Sequence, residues 1–349
     1  VLRLPSALTT ARLATALTFC VVVLGAYVRL VDAGLSCPDW PGCYGHLVVP
    51  ADAEARRQAE LAYPQTPLDP VRAWKEMLHR YLAGMLGLLI LFLAVRAWQE
   101  RHRLPRAWML ALILPALVTM QALLGMWTVT LLLRPWIVTA HLLGGMLILA
   151  GLWWLSLSLR HAAAAPAART PEAGGGGERG VNGPLRTLAL LGLVVVFLQI
   201  GLGGWTSANY AALACPDFPT CHGRWWPQEM DLEGAFSTEV LFAGSEAVSL
   251  DSAQRVTVQV VHRMGAMLVL LVVGAAAAFG LLRGGPGMRP CAGALLVLLL
   301  MQLGLGIANV LLHLPLFTAV AHNAVAALLL LSMATLLHRT LISPLRAAP

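Results

Sequence analysis

Apolar residues along this chain fall into long unbroken runs, set apart by short polar stretches. Eight runs of 18 or more residues cover roughly 13–30, 77–97, 107–129, 136–159, 186–206, 257–282, 291–311 and 316–337. Each is long enough to cross the hydrocarbon of a bilayer as one helix. No stretch between them shows the strong alternation of a barrel strand, which argues against a β-barrel. The pattern predicts an all-α membrane protein of eight transmembrane helices. No small-residue cleavage pattern follows the first run, so it is expected to be retained and not removed as a signal peptide. Polar residues break the pattern at telling places. "KEMLHRYLAG" (75–84) puts Glu76, His79 and Arg80 at the threshold of a span, and "VQVVHRMGAMLVLLVV" (258–273) nearly repeats it with Gln259 in place of the acid.

Composition agrees with a membrane protein: 349 residues, 58% hydrophobic and 12% charged. Charge then sets the orientation, because basic residues collect in cytoplasmic loops. With the N-terminus inside, that side holds fourteen arginines (3, 12, 96, 101, 103, 106, 160, 169, 179, 186, 283, 289, 339 and 346) against Glu100, Glu172 and Glu178, a net of +11. The other side and its borders hold ten basic and fourteen acidic residues, a net of −4. Both termini are therefore expected to be cytoplasmic. The overall +7 reflects topology and gives little support to nucleic-acid binding, which is not expected.

The segment "AAAAPAARTPEAGGGGERGVNGP" (162–184) lacks apolar periodicity and reads as a cytoplasmic linker. It divides the chain into a half of four spans (1–160), a linker (161–185) and a second half of four spans (186–349). The halves match. "CPDWPGC" (37–43) answers "CPDFPTC" (215–221), His79-Arg80 answers His262-Arg263, and Gln121, Gly125 and His141 answer Gln302, Gly306 and His322. An even number of spans per half gives the repeats one orientation. This predicts two pseudo-symmetric four-helix bundles in a parallel internal repeat, with the axis along the membrane normal.

Six of the ten histidines (46, 102, 161, 222, 313 and 338) fall in loops or at cytoplasmic ends and read as solvated groups. The other four, His79, His141, His262 and His322, lie at similar depth inside spans two, four, six and eight. A polar group in lipid needs a partner. Interhelical hydrogen bonding is one reading. Ligation of two haem irons, each by one imidazole from each helix of a pair, is the other and the stronger. A bare zinc site would ask for more ligands than two imidazoles. Iron is expected only through haem. Arg80 and Arg263 are candidate contacts for haem propionates, with snorkelling to headgroups as the alternative. Small residues in "AGMLG" (83–87), "LLGGM" (142–146) and "MGAM" (264–267) suit either a flat macrocycle or close helix packing. The loop cysteines predict two local disulfides, Cys37–Cys43 and Cys215–Cys221, with free thiols as the alternative. Cys20 and Cys291 fall in apolar runs and read as core residues.

"LGAYVRLVDAGLSCPDWPGCYG" (24–45), "EMLHR" (76–80), the His141 helix, "GLGGWTSANYAALACPDFPTCHG" (201–223) and the His262/His322 pair together resemble the haem A synthase family. The similarity covers all eight spans in order. It implies an eight-helix membrane oxidoreductase that converts the C8 methyl of haem O to a formyl group by two successive hydroxylations, with loss of water from the geminal diol. His79 and His141 would hold the substrate haem O and product haem A, and His262 and His322 a haem b that relays electrons. Glu76 matches the family's catalytic glutamate. The resemblance also implies a multi-pass bacterial inner-membrane protein, with haem O synthase as a partner and cytochrome oxidase assembly factors as further candidates. This chain departs from the family in a long acidic loop, 222–256, and a long Gly-rich linker.

Residues three apart share a helix face, so Glu76 should look toward whatever His79 binds. Gln259 cannot ionise, so the difference points to chemistry in one half and electron carriage in the other. A carboxylate there suits proton transfer during oxygen activation or diol dehydration; a salt bridge with Lys75, Arg72 or Arg80 is the alternative. The competing function is a di-haem b-type cytochrome that passes electrons from quinol, which needs the four histidines but not the Glu/Gln difference.

Overall fold

The computed structural model describes residues 6–103, 107–164, 178–237 and 250–342. Eight helices among them are long and apolar enough to cross a membrane. They are α1 (Ala7–Leu30), α2 (Pro70–Gln99), α3 (Ala107–Thr130), α4 (Pro135–Ala164), α5 (Glu178–Ala208), α6 (Ser252–Arg283), α7 (Arg289–Leu311) and α8 (Leu316–Ile342). No β-strand occurs among the described residues. Several helices outrun their apolar cores because polar residues start and stop them. Asp69 accepts from the backbone N–H groups of Val71 and Arg72 ahead of Pro70, which opens α2 six or seven residues before its apolar run. Asp251 and Gln254 form a capping box that opens α6.

In the first four helices, α1 packs on α2 and α4, and α3 packs on α2 and α4. The last four pack in the same cyclic order, α5 against α6 and α8, and α7 against α6 and α8. The two groups meet where α1 and α4 face α5 and α8. Trp153 on α4 donates its indole N–H to the Thr335 hydroxyl on α8 (2.8 Å), and Arg29 at the end of α1 donates to the Ser207 carbonyl at the end of α5 (3.1 Å). The two most extensive buried clusters lie among the spans. One cluster holds Leu86, Ile90, Leu93, Leu114 and Leu155. A second joins Leu149, Val273, Leu295, Leu299 and Met333 across the two groups.

The structure moves three expectations. α4 runs to Ala164 and α5 begins at Glu178, so helix occupies both ends of the stretch read as linker; alanine favours helix wherever nothing breaks it. Residues 165–177, and 238–249 of the acidic loop, lie outside the described residues. His338 is not a solvated group: it is buried, packed edge-on against Trp154 with ring centroids 5.0 Å apart, and its Nε2 lies 3.2 Å from the Ser158 hydroxyl. Cys20 is exposed on α1 and not in the core. On a membrane helix the apolar run covers lipid-facing and inward faces alike, so hydropathy does not separate them.

Candidate functional site

Each cysteine loop is built on an aspartate. Asp39 accepts from the N–H groups of Tyr44 (2.6 Å) and Gly45 (2.8 Å), and Asp217 from those of His222 (2.6 Å) and Gly223 (2.9 Å). Tyr44 and His222 have φ of 55° and 54°, and Gly45 and Gly223 follow at 78° and 73°. The left-handed turn points successive N–H groups at the carboxylate, and glycine takes this conformation without strain. The Thr220 hydroxyl and these backbone donors hold the Asp217 carboxyl down to about 2. Cys37 and Cys43 form a disulfide with Cα atoms 4.7 Å apart, and Cys215 and Cys221 form another at 4.7 Å.

Two arginines pin these loops to the helices. Arg80 donates to the carbonyls of Asp39 (2.8 Å) and Gly42 (2.5 Å), and to the Glu76 carboxylate at 2.5 Å. Arg263 donates to the carbonyls of Thr220 (2.7 Å) and Cys215 (2.9 Å). Both guanidiniums, read from the sequence as propionate or headgroup contacts, thus grip loop backbone. Glu76 is buried, and its second oxygen accepts from the Cys37 N–H at 2.9 Å. The Arg80 ion pair weighed from the sequence is present, and the carboxylate is tied to the disulfide loop as well. Gln259 is also buried, and its side-chain oxygen makes no hydrogen bond.

Between the loops and the packed clusters lies a cavity of about 1870 Å³, lined by Glu76, Gln259 and all four intramembrane histidines. His79 lies within electrostatic reach of His141, and His322 of His262. Each ring rests against a glycine of a neighbouring helix. A Cβ at Gly25 would come 2.9 Å from Cε1 of His79, at Gly125 3.1 Å from His141, at Gly203 3.3 Å from His262, and at Gly306 3.1 Å from His322. The Nδ1 atoms of His79, His141 and His322 are buried without hydrogen-bond partners, and that of His262 lies 3.1 Å from the Gln199 amide nitrogen.

These features fit haem. Imidazole is a haem-iron ligand, ligating histidines are steadied by outer hydrogen bonds, and the cavity is mostly apolar in its lining. No group of three or more His, Cys, Asp or Glu converges among the described residues, so each histidine pair stands without further ligands of those types. Sequence reading missed Gly25, Gly203 and Gln199. For Gly203 and Gln199 the signal was present as Gln-x-x-x-Gly in three spans, Gln121/Gly125, Gln199/Gly203 and Gln302/Gly306; Gly25, with Val21 at that offset, carried no such signal.

The family model described as cytochrome oxidase assembly protein, COX15-CtaA, matches residues 9–334. A protein of Shewanella oneidensis named heme A synthase is 41% identical over 334 residues, covering 93% of this chain and 94% of the relative. Proteins with the same name from Methylobacterium radiotolerans (30% identical, 96% of this chain and 91% of the relative) and Methylorubrum extorquens (32%, 91% and 82%) are also similar. The matched region takes in both cysteine loops, all four intramembrane histidines and all but the outer ends of the first and last spans. The chain belongs to the COX15-CtaA family of membrane proteins.

Proposed function

We propose that this protein is a haem A synthase, an oxidoreductase that converts the C8 methyl of haem O to the formyl group of haem A by two successive hydroxylations. Relatives at up to 41% identity carry that name. The observation that carries the reading is the inequality of two histidine pairs that line one cavity, with a buried carboxylate on the helix of His79 and a buried amide at the matched place on the helix of His262. We read the matched loops, arginines and ring-bearing glycines as a parallel internal repeat whose halves have taken different duties.

His79 and His141 hold the substrate porphyrin through its iron, and His262 and His322 hold haem b. When bound, haem b supplies one-electron transfer. The rest falls to side chains. Gly25 and Gly125 seat the imidazoles, and the apolar lining limits water near the reacting carbon. Glu76 is a proton carrier. To lose water, the geminal diol gives up one hydroxyl proton while its other hydroxyl leaves as water after gaining a proton; a carboxylate that takes the first can return the second. Arg80 holds one Glu76 oxygen and the Cys37 N–H the other, which fixes the carboxylate in place. Both termini are cytoplasmic, the site lies near the outer face of the bacterial inner membrane, and haem O synthase delivers the substrate. Cytochrome oxidase assembly factors are candidate further partners.

Single His79→Ala and His262→Ala variants test this by extraction of pigment from purified protein. The first should lose haem O and haem A but keep haem b, and the second should lose haem b. A wild-type protein yielding haem b alone from both pockets would instead support a di-haem b-type cytochrome.

A further inference from the structure

Three of the four histidines share a device that the fourth lacks. On α3, α5 and α7 a glutamine stands four residues before the glycine that carries the imidazole: Gln121, Gln199 and Gln302. Gln121 donates its amide to the main-chain carbonyl of His141 at 2.7 Å, and Gln199 donates to that of His262 at 2.9 Å. Glycine makes room for these contacts. Gly144 and Gly265 each follow their histidine by three residues, and a Cβ at either would overlap the glutamine amide oxygen. At the same offset His322 is followed by Val325, and there the amide turns to the ring, with Gln302 Nε2 3.2 Å from His322 Nε2.

On α1 the matched residue is Val21, and the residue three after His79 is Leu82. There is neither an amide nor a glycine to admit one. The His79 Nδ1 makes no hydrogen bond, and the Val21 backbone is the backbone group near its ring. Backbone at this place also lies near the rings of His141 and His322, so the difference resides in the side chain. Glu76, one turn away on the same helix, is already held by Arg80 and the Cys37 N–H.

We infer that Gln121, Gln199 and Gln302 are positioning residues that lock three of the histidines, and that Val21 leaves His79 as the releasable ligand of the pair it forms with His141. An outer-shell partner of a ligating histidine's ring is worth about 10- to 100-fold in metal affinity; Gln199 and Gln302 reach the His262 and His322 rings, whereas Gln121 holds His141 through its main-chain carbonyl. A resident group is best served by two locked imidazoles. A pocket that admits a substrate porphyrin and releases its product needs one ligand that lets go. The inference rests on the proposed assignment of the His79/His141 pocket to substrate.

The test uses the purified full chain with its haems, mixed with excess apomyoglobin as acceptor, and follows haem transfer by absorbance. The wild type should release pigment in two phases, the faster removed by His79→Ala. Installing the missing device, as Val21→Gln with Leu82→Gly, should slow the fast phase about tenfold, and Gln199→Ala or Gln302→Ala should speed the slow phase by a similar factor. If the Val21/Leu82 variant does not purify folded, the two glutamine variants decide. Rates unchanged within about twofold in the variants, despite intact haem loading, would overturn the inference, since outer-shell loss costs at least tenfold. A His79→Ala protein that keeps both phases would instead overturn the pocket assignment on which the inference rests.

Discussion

Glu76 is held from two directions, by Arg80 on its own helix and by the Cys37 N–H from the disulfide loop. Glutamine at this place keeps an oxygen for the Cys37 N–H and loses the charge, the exchangeable proton and the acceptor that Arg80 uses, while Arg80 keeps its loop carbonyls. Glu76→Gln should therefore retain pigment in the first pocket while conversion of haem O falls by about 100-fold or more, the range expected for loss of a proton-transfer group. Chromatography of extracted haems checks it, with haem O accumulating; ordinary yields of haem A would remove Glu76 from the chemistry. The glycines under the rings give a second expectation. Because a Cβ at Gly25 would lie 2.9 Å from Cε1 of His79, Gly25→Val should displace that ring. Pigment should be lost from the first pocket and kept in the second, as read in the same extract.

The disulfide loops act as units, because aspartate, disulfide and arginine bind the same few residues. Mass mapping without reduction should recover Cys37 linked to Cys43 and Cys215 linked to Cys221; four free thiols would contradict the loop geometry. Asp217 makes the second loop sensitive to acid. Its carboxyl is held down to about 2 by the Thr220 hydroxyl and the Gly223 N–H, below the ordinary carboxylate range. A depressed folded-state value means the stabilisation is fully present above the unfolded value, near 4, and fades as pH falls from about 4 through about 2. Hydrogen exchange at the His222 and Gly223 amides should accelerate across that window, and Asp217→Asn should show the faster exchange already at neutral pH. The carboxylate is only partly buried at the loop surface, so solvent screening keeps the effect local to the loop.

At the scale of the whole molecule, two four-helix groups meet along α1, α4, α5 and α8. Lipid gives helices little hydrophobic reason to associate, so packing and interhelical hydrogen bonds hold such a seam. Trp153→Phe keeps most of the packing and deletes the bond to Thr335, which should cost about 1 kcal/mol. A lower thermal midpoint with unchanged pigment content would place this contact in the seam and outside the pockets.

Much of this could be read along the chain. Runs of 18 or more apolar residues mark spans because a helix in hydrocarbon must satisfy its own backbone and cover it with apolar side chains. The recurrence of motifs was visible in residues that are costly in lipid, the four histidines above all. What escaped depends on direction around a helix. Cys20 and the core residues have the same hydropathy, and His338 lies at a polar end yet packs under Trp154. Arg80 and Arg263 were legible as cations near the pockets, but only folding showed that loop carbonyls hold them.

By itself, then, the sequence determined the number of spans, the recurrence of the cysteine and histidine motifs, and the acid in one occurrence where the other has an amide. These are properties of residue type and order, and burial in lipid enforces them. Tertiary structure alone decided which glycine carries which imidazole, which amides reach the histidine backbone, and that Val21 and Leu82 leave His79 without one. Those contacts join different helices across gaps of an atom's width, and no pattern along a single helix specifies its rotation against a neighbour.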